Sequence, residues 1–313
     1  MTDAIDTEPA REKLTTPLGW IGAGRMGTAM AALLLRAGHR VTVYSRTPAH
    51  CAALVEQGAV ASASPHACAH GSDIAFCCVS DDEALRAVAL GPAGAIAAAP
   101  GVLVDTSTVS VECSAQIAAE CERAGVPYLR MPVSGNAASA QRGEVTLLVS
   151  GPPEAWVRVR PIAVQFSVHQ VYLGQGEEAR VMKLVINALV VNLAQAMAEA
   201  LTLGRKAGLE WETMLDTVAH STLASPFLRA KVGLLKPRDF TPTMTARLIL
   251  KDIDLMLAAG AGSGVSLPLT AVTRSLMSEL VDAGMGEEDY MAAIKLAERR
   301  AGLAEPERPG RTQ

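Results

Sequence analysis

Lys183 and Asn187 stand four residues apart in the otherwise apolar run Val181–Val191. That spacing puts both side chains on one face of a helix. Burying an ammonium among apolar side chains is costly without a partner. It also lowers the lysine pKa toward the range in which one group both gives and takes a proton. One reading is therefore a proton-transfer pair, with Asn187 orienting the lysine or a substrate hydroxyl. The other is a lysine that snorkels to an exposed stripe of the helix. Periodicity alone leaves the two level.

A second constellation opens the chain's first patterned stretch. Gly22, Gly24 and Gly27 fit G-x-G-x-x-G, with Ala23, Arg25 and Met26 between them. The turn follows a short apolar run and precedes an Ala/Leu-rich segment, the context a dinucleotide fingerprint needs. One glycine makes the tight turn, one lets backbone approach a pyrophosphate, and one allows helix to pack on strand. The helix N-terminus adds free N–H groups and partial positive charge. About 20 residues on, an NAD-specific turn carries an acid for the ribose hydroxyl. Here Ser45, Arg46 and Thr47 stand instead. A guanidinium and two hydroxyls suit a 2′-phosphate, so the sequence predicts NADP(H), with NAD(H) as the alternative nucleotide. The competing reading makes Arg46 a plain surface residue at a strand end.

Two further islands carry hydroxyls. Asp105-Thr106-Ser107-Thr108 ends a predicted strand, where ligands of open α/β sheets gather; the same residues would also serve as helix caps. Met131-Pro132-Val133-Ser134-Gly135-Asn136 follows another strand. A Ser-Gly turn offers a hydroxyl and successive N–H groups to a carboxylate, or is a simple strand exit. His220 closes a helical segment, where it would contact a substrate or a backbone carbonyl. His66, Cys68 and His70 lack a second ligand group at metal spacing, and no metal is expected.

The elements that must hold these residues follow from periodicity. Short apolar runs at 19–22, 41–44, 74–79, 101–105, 128–131 and 144–150 alternate with helical patterns at 26–36, 48–57, from 81, and at 111–124. Such alternation predicts a doubly wound parallel sheet of the Rossmann type. From Glu177 to Lys206 one apolar helical pattern runs with almost no breaker, so burial by both domains or by a partner chain is expected. Helical segments follow, broken at Gly208, Pro226, Pro237, Pro242 and 260–264. The predicted organisation is α/β: a leader at 1–16, a nucleotide-binding domain at 17–176, and a long interdomain helix opening an all-α domain at 177–303, with a loose tail at 304–313.

The 313 residues carry 28 basic and 32 acidic side chains, for a net charge of −4, which argues against a nucleic-acid surface. Half of the residues are hydrophobic and 4% are aromatic, so the cores must be rich in Ala, Leu and Val. No uninterrupted apolar stretch reaches bilayer length, and the polar leader lacks a secretory apolar region. No membrane partner is expected. Cys51, Cys68, Cys77, Cys78, Cys113 and Cys121 read as reduced core residues of a cytoplasmic protein. The apolar long helix points to a homodimer or homotetramer.

In this order the islands resemble those of the β-hydroxyacid dehydrogenases, over roughly Leu18 to Gly302. The matching pieces are the Gly22–Gly27 turn, Asp105–Thr108, Pro132–Gly135, and Gly174-Gln175-Gly176 leading to Lys183 and Asn187. Phe240, Lys251-Asp252 and Asp289-Tyr290 match downstream. The resemblance implies a Rossmann domain joined by a long helix to an all-α domain. It implies NADPH-linked interconversion of a small 3-hydroxy acid and its semialdehyde. Lys183 matches the general acid and Asn187 a residue holding substrate beside it. Ser134 and Gly135, with Asn136 beside them, match the substrate-carboxylate site. Thr108 matches a position near the nicotinamide, and Lys251 a lysine by the cofactor cleft. Asp252 is expected to be structural.

Three departures bear on the substrate: Asn136 replaces the usual second glycine, Arg130-Met131 precedes Pro132, and Ser45 replaces the usual asparagine. Asn136 tolerates left-handed geometry, and Arg130 would attract an anionic substrate or point to solvent. Imine reduction is the runner-up activity, although that group commonly carries Asp or Tyr at the lysine position. A non-catalytic nucleotide-binding scaffold is the alternative from another class.

Overall fold

The computed structural model describes residues 16–304. Apart from Thr16 and Ala304, the expected leader and tail lie outside the described residues. The chain divides into two compact units. The first comprises the described residues up to Ser107 and Glu112–Ala179; the second comprises Thr108–Val111 and everything from Arg180. The division falls inside the long helix, and four residues of an earlier loop go with the helical unit.

The first unit is built on nine strands: β1 (Pro17–Ile21), β2 (Arg40–Tyr44), β3 (Val60–Ala61), β4 (Ile74–Cys77), β5 (Leu103–Asp105), β6 (Tyr128–Arg130), β7 (Val133–Ser134), β8 (Val145–Ser150) and β9 (Ser167–Gly174). Their order is β3-β2-β1-β4-β5-β6-β8-β7, with β9 on β8. The six strands from β3 to β6 pair in parallel, in the doubly wound order whose crevice opens beside β1 and β4. The sheet is not parallel throughout: β8 runs antiparallel to β6 and β7. The physical reason is chain length. The links between these strands hold at most a short helix, enough for antiparallel neighbours but not for a parallel crossover. The sequence reading also lacked β3, β7 and β9, because each is too short or too exposed to show a clean apolar alternation.

Few aromatics serve this core, and they cluster. Trp20 stacks on Phe76 with ring centroids 5.0 Å apart, and Phe166 meets both edge-on. All six cysteines are free. Burial pushes the Cys68 and Cys121 thiols up to about 12, which makes them poor nucleophiles.

The second unit is helical. Its long helix, Glu178–Lys206, would suffice by length and composition to cross a membrane, since Lys183 is the single charge between Val181 and Ala198. Its residues Leu184, Val191, Ala194, Met197, Ala198 and Leu201 are buried in the unit's hydrophobic core. Two buried ionic knots pin the surrounding helices. Lys231 pairs with Asp289 at 3.2 Å and lies 4.0 Å from the Tyr290 ring. Arg238 takes Glu298 through both guanidinium nitrogens, at 3.0 and 2.5 Å. Each charge meets a geometrically matched partner, which offsets its desolvation.

Candidate active site

The glycine turn is shaped by backbone that cannot yield. Gly22 sits at φ +104°, where a Cβ would stand 2.2 Å from the Cys78 carbonyl oxygen. Its N–H donates to the Tyr44 carbonyl at 2.7 Å, which fixes the turn to the end of β2. A Cβ on Gly27 would stand 2.1 Å from the Gly22 oxygen, whereas one on Gly24 would meet nothing within 4 Å. Gly24 caps the helix Arg25–Arg36, whose first turn holds no acid. An open approach to helix N–H groups without a competing carboxylate fits a pyrophosphate. Ser45, Arg46 and Thr47 follow β2 directly, and Arg46 and Thr47 are exposed. A groove of about 770 Å³ starts at Ala23, Gly24 and Arg25 and has His50, Ala137 and Gln141 among its walls.

The hydroxyls of Thr106 and Ser107 make bonds that the sequence did not show. Thr106 Oγ1 donates to the Cys77 carbonyl at 2.8 Å, and Ser107 Oγ accepts the Val79 N–H at 2.9 Å. They tie the end of β5 to the end of β4. Arg130 neither faces solvent nor offers a free charge. It is 7% exposed, lies over the Tyr128 ring, and gives its Nε and Nη2 hydrogens to Glu177 Oε1. Sequence could not show this, because the partner lies 47 positions away.

Ser134 ends β7. Gly135 carries the positive φ of this turn, +149°, while Asn136 is extended. The tolerance of asparagine for left-handed geometry is therefore not what the site uses. Asn136 opens the short helix Ala137–Gln141 as a capping box: its Oδ1 accepts the Ser139 N–H at 2.9 Å, and its own N–H donates to Ser139 Oγ at 2.9 Å. Its Nδ2 has no partner among the described residues and is left for a ligand.

The second unit gathers the other predicted residues. Lys183 and Asn187 lie on the long helix, and Lys251 and Asp252 on the helix Ala246–Gly262. Asn187 Nδ2 donates to Asp252 Oδ2 at 2.8 Å. Lys251 Nζ stands 2.8 Å from Asp252 Oδ1 and donates to the Thr108 carbonyl at 2.7 Å. Asp252 is 1% exposed. Burial pulls the Lys183 ammonium below its usual pKa; Asp252 opposes that shift and Lys251 adds to it. Asn187 and Lys251 thus meet at a carboxylate, expected from the sequence to be structural, whose charge also acts on Lys183. The available signal was an acid directly following Lys251. His220 takes no part in these bonds: it is exposed, with Nδ1 at 2.8 Å from the Asp216 carbonyl oxygen. Among the described residues no group of three His, Cys, Asp or Glu could hold a metal ion.

A glycine turn at the switch point of a doubly wound sheet, followed by a helical unit with two half-buried lysines beside a buried Asn-Asp pair, defines a dinucleotide-dependent oxidoreductase. A family model described as the NAD binding domain of 6-phosphogluconate dehydrogenase matches residues 17–174. Another, described as NAD-binding of NADP-dependent 3-hydroxyisobutyrate dehydrogenase, matches residues 175–297. The 2-(hydroxymethyl)glutarate dehydrogenase of Eubacterium barkeri is 32% identical over 290 residues, which cover 92% of this chain and 96% of that one. The crystal structure of 3-hydroxyisobutyrate dehydrogenase from Salmonella typhimurium aligns with a TM-score of 0.82 at 27% identity, covering 90% of this chain and 99% of that chain. A reductive aminase from Aspergillus terreus, solved with NADPH and ethyl-5-oxohexanoate, aligns with a TM-score of 0.60 at 25% identity over 90% and 99%. The chain belongs to the β-hydroxyacid dehydrogenase family. It is an NAD(P)-dependent oxidoreductase acting on CH–OH groups.

Proposed function

We propose that the protein interconverts a small 3-hydroxy acid and its semialdehyde with NADP(H), and that Lys183 is the general acid and base. The observation that carries this reading is the cluster of Lys183, Asn187, Lys251 and Asp252. A lysine whose pKa burial lowers is suited to move a proton near neutrality. In reduction Lys183 Nζ gives a proton to the carbonyl oxygen; in oxidation it takes one from the hydroxyl. The nicotinamide, when bound, supplies or accepts the hydride. Lys251, tied to the Thr108 carbonyl, steadies the loop segment assigned to the nicotinamide. In the first unit the Gly22–Gly27 turn, with Arg25 and Met26, holds the pyrophosphate, Ser45, Arg46 and Thr47 the 2′-phosphate, and Ser134 and Gly135 the substrate carboxylate. Asn136 Nδ2 and His220 are the remaining substrate contacts in this assignment.

The substrate class rests on chemistry shared by the relatives' names. 3-Hydroxyisobutyrate and 2-(hydroxymethyl)glutarate both carry a hydroxymethyl group on the carbon next to a carboxylate. The deciding assay follows NADPH and NADH oxidation with methylmalonate, tartronate and succinate semialdehydes and a cyclic imine. Turnover of a semialdehyde supports the proposal. Turnover of the imine alone moves the protein to the reductive-amination branch, and silence with tight NADPH binding favours the scaffold reading. Arg46→Ala is expected to weaken NADPH binding about 10–100-fold, the scale of a lost charged hydrogen bond, with NADH affinity nearly unchanged. Equal losses for both nucleotides would remove Arg46 from the 2′-phosphate site.

The reading includes self-association. Val181, Met182, Val185, Leu189, Leu193 and Leu203 on the long helix are exposed, Leu189 at 71%, and exposed Ala196 and Ala200 share that side. The stripe runs about 33 Å at 1.5 Å per residue, and monomers seldom leave such a patch uncovered. Its first half is bulky throughout, and its second half sets Ala196 and Ala200 between Leu193 and Leu203. An antiparallel second copy would set bulky against small about a two-fold axis. Leu189→Glu is expected to convert the oligomer to monomer in sedimentation analysis. An unchanged mass, or wild-type protein that floats with lipid vesicles, would defeat this assignment.

A further inference from the structure

We infer that Asp252 is a positioning residue, whose carboxylate holds the Asn187 amide with Nδ2 inward so that Oδ1 is the atom offered to the substrate. The inference rests on the proposed role of Lys183. Its basis is the one hydrogen bond and the one ion pair that this carboxylate makes. Asp252 is 1% exposed and receives Asn187 Nδ2 on one oxygen while Lys251 Nζ stands 2.8 Å from the other. A carboxylate only accepts, so the amide end facing it must be the donor. Asn187 Oδ1 is thereby turned away from Asp252, and it has no partner among the described residues.

The consequence is chemical. An acceptor beside Lys183 takes a hydrogen bond from an ammonium or from a substrate hydroxyl. It gives none to a carbonyl oxygen. In reduction Lys183 is then the sole donor of this pair, and Asn187 aims it. In oxidation Asn187 Oδ1 receives the alcohol O–H until Lys183 removes the proton. Asparagine at position 252 could not substitute for the acid. Its amide lacks the charge that pairs with Lys251, and the orientation that turns its NH2 toward Asn187 would set donor against donor. The charged groups that act on Lys183 are Asp252 and Lys251.

The test is Asp252→Asn in the full-length protein, with pH profiles in both directions. The expected result is a kcat about 10–100-fold lower, the scale of a charge-assisted hydrogen bond, with the KM for NADPH within about 2-fold. Asp252 holds the Lys183 pKa up, so its loss lowers that pKa further. The rising limb of oxidation therefore moves to lower pH, and the falling limb of reduction moves with it. Asp252→Glu keeps both acceptors and should recover part of the rate. Asn187→Ser combined with Asp252→Asn should lose little beyond Asn187→Ser alone. Unmoved pH limbs with a normal kcat, or fully additive losses, would overturn the inference. If Asp252→Asn does not fold, Asn187→Asp removes the donor while keeping Asp252, and wild-type turnover there would overturn it equally. Failure of the Lys183 reading is distinguishable, because it shows as activity in Lys183→Ala.

Discussion

Replacing Lys183 with alanine is expected to lower kcat by about 10²–10⁴-fold, the range that one general acid supplies. NADPH affinity should change little, because no nucleotide contact is assigned to this residue. The fold should survive as well. Lys183 pays a desolvation cost that Asp252 offsets only in part, so a neutral small side chain should hold the thermal midpoint or raise it. Turnover and stability therefore separate, which a purely structural lysine would not allow. The pH dependence has a definite sign. Reduction needs the protonated amine, so its rate falls as pH rises through the lowered pKa of Lys183. Oxidation needs the free amine, so its rate rises through the same value. In Lys183→Ala both limbs should vanish. A variant with near wild-type turnover and an intact pH limb would end the general acid assignment.

Gly22→Ala should give the second large effect, on folding and nucleotide binding together. The residue needs φ +104°, and the added methyl would lie 2.2 Å from the Cys78 carbonyl oxygen, which is backbone. A left-handed alanine costs about 1–2 kcal/mol, and relief of the clash requires β1 and the segment after β4 to separate. We expect a total of about 3 kcal/mol or more, seen as a fall of roughly 6–12 °C in the Tm of a cooperative unit the size of the first one. NADPH binding should fall at least about 100-fold, because the turn that carries Gly24 moves. Gly24→Ala is the control: its Cβ meets no protein atom within 4 Å, so the fold should hold while the nucleotide is obstructed. Equal stability of Gly22→Ala and wild type would show that the turn relaxes freely.

Much of this site was legible because the signals were local. The glycine turn, the Ser45–Thr47 exit and the Lys183/Asn187 spacing each lie within a few residues, so one strand end or one helix face decides them. The parallel strands β1, β2, β4 and β5 were legible for the same reason, since a helical segment follows each of them. Illegible were the partners that arrive from far along the chain. Thr106 and Ser107 looked like caps or ligands until β5 was seen against β4, where their hydroxyls tie the strand ends together. Asn136 carries a second role that the sequence did not show, since its Oδ1 and N–H close a helix turn.

The sequence by itself determined the nucleotide class, the doubly wound half and the helical half, and it singled out the lysine proposed as general acid and base. Those features follow from periodicity and from residue types at short spacing. Only the tertiary structure decided that β7 and β8 run antiparallel, that Arg130 is neutralised by Glu177, and that Asp252 joins Asn187 to Lys251. These outcomes depend on which segments become neighbours after the chain closes loops of tens of residues. No local pattern encodes the register of that closure: Asn187 and Asp252 meet across 65 positions, and the orientation of the Asn187 amide is fixed only once they do.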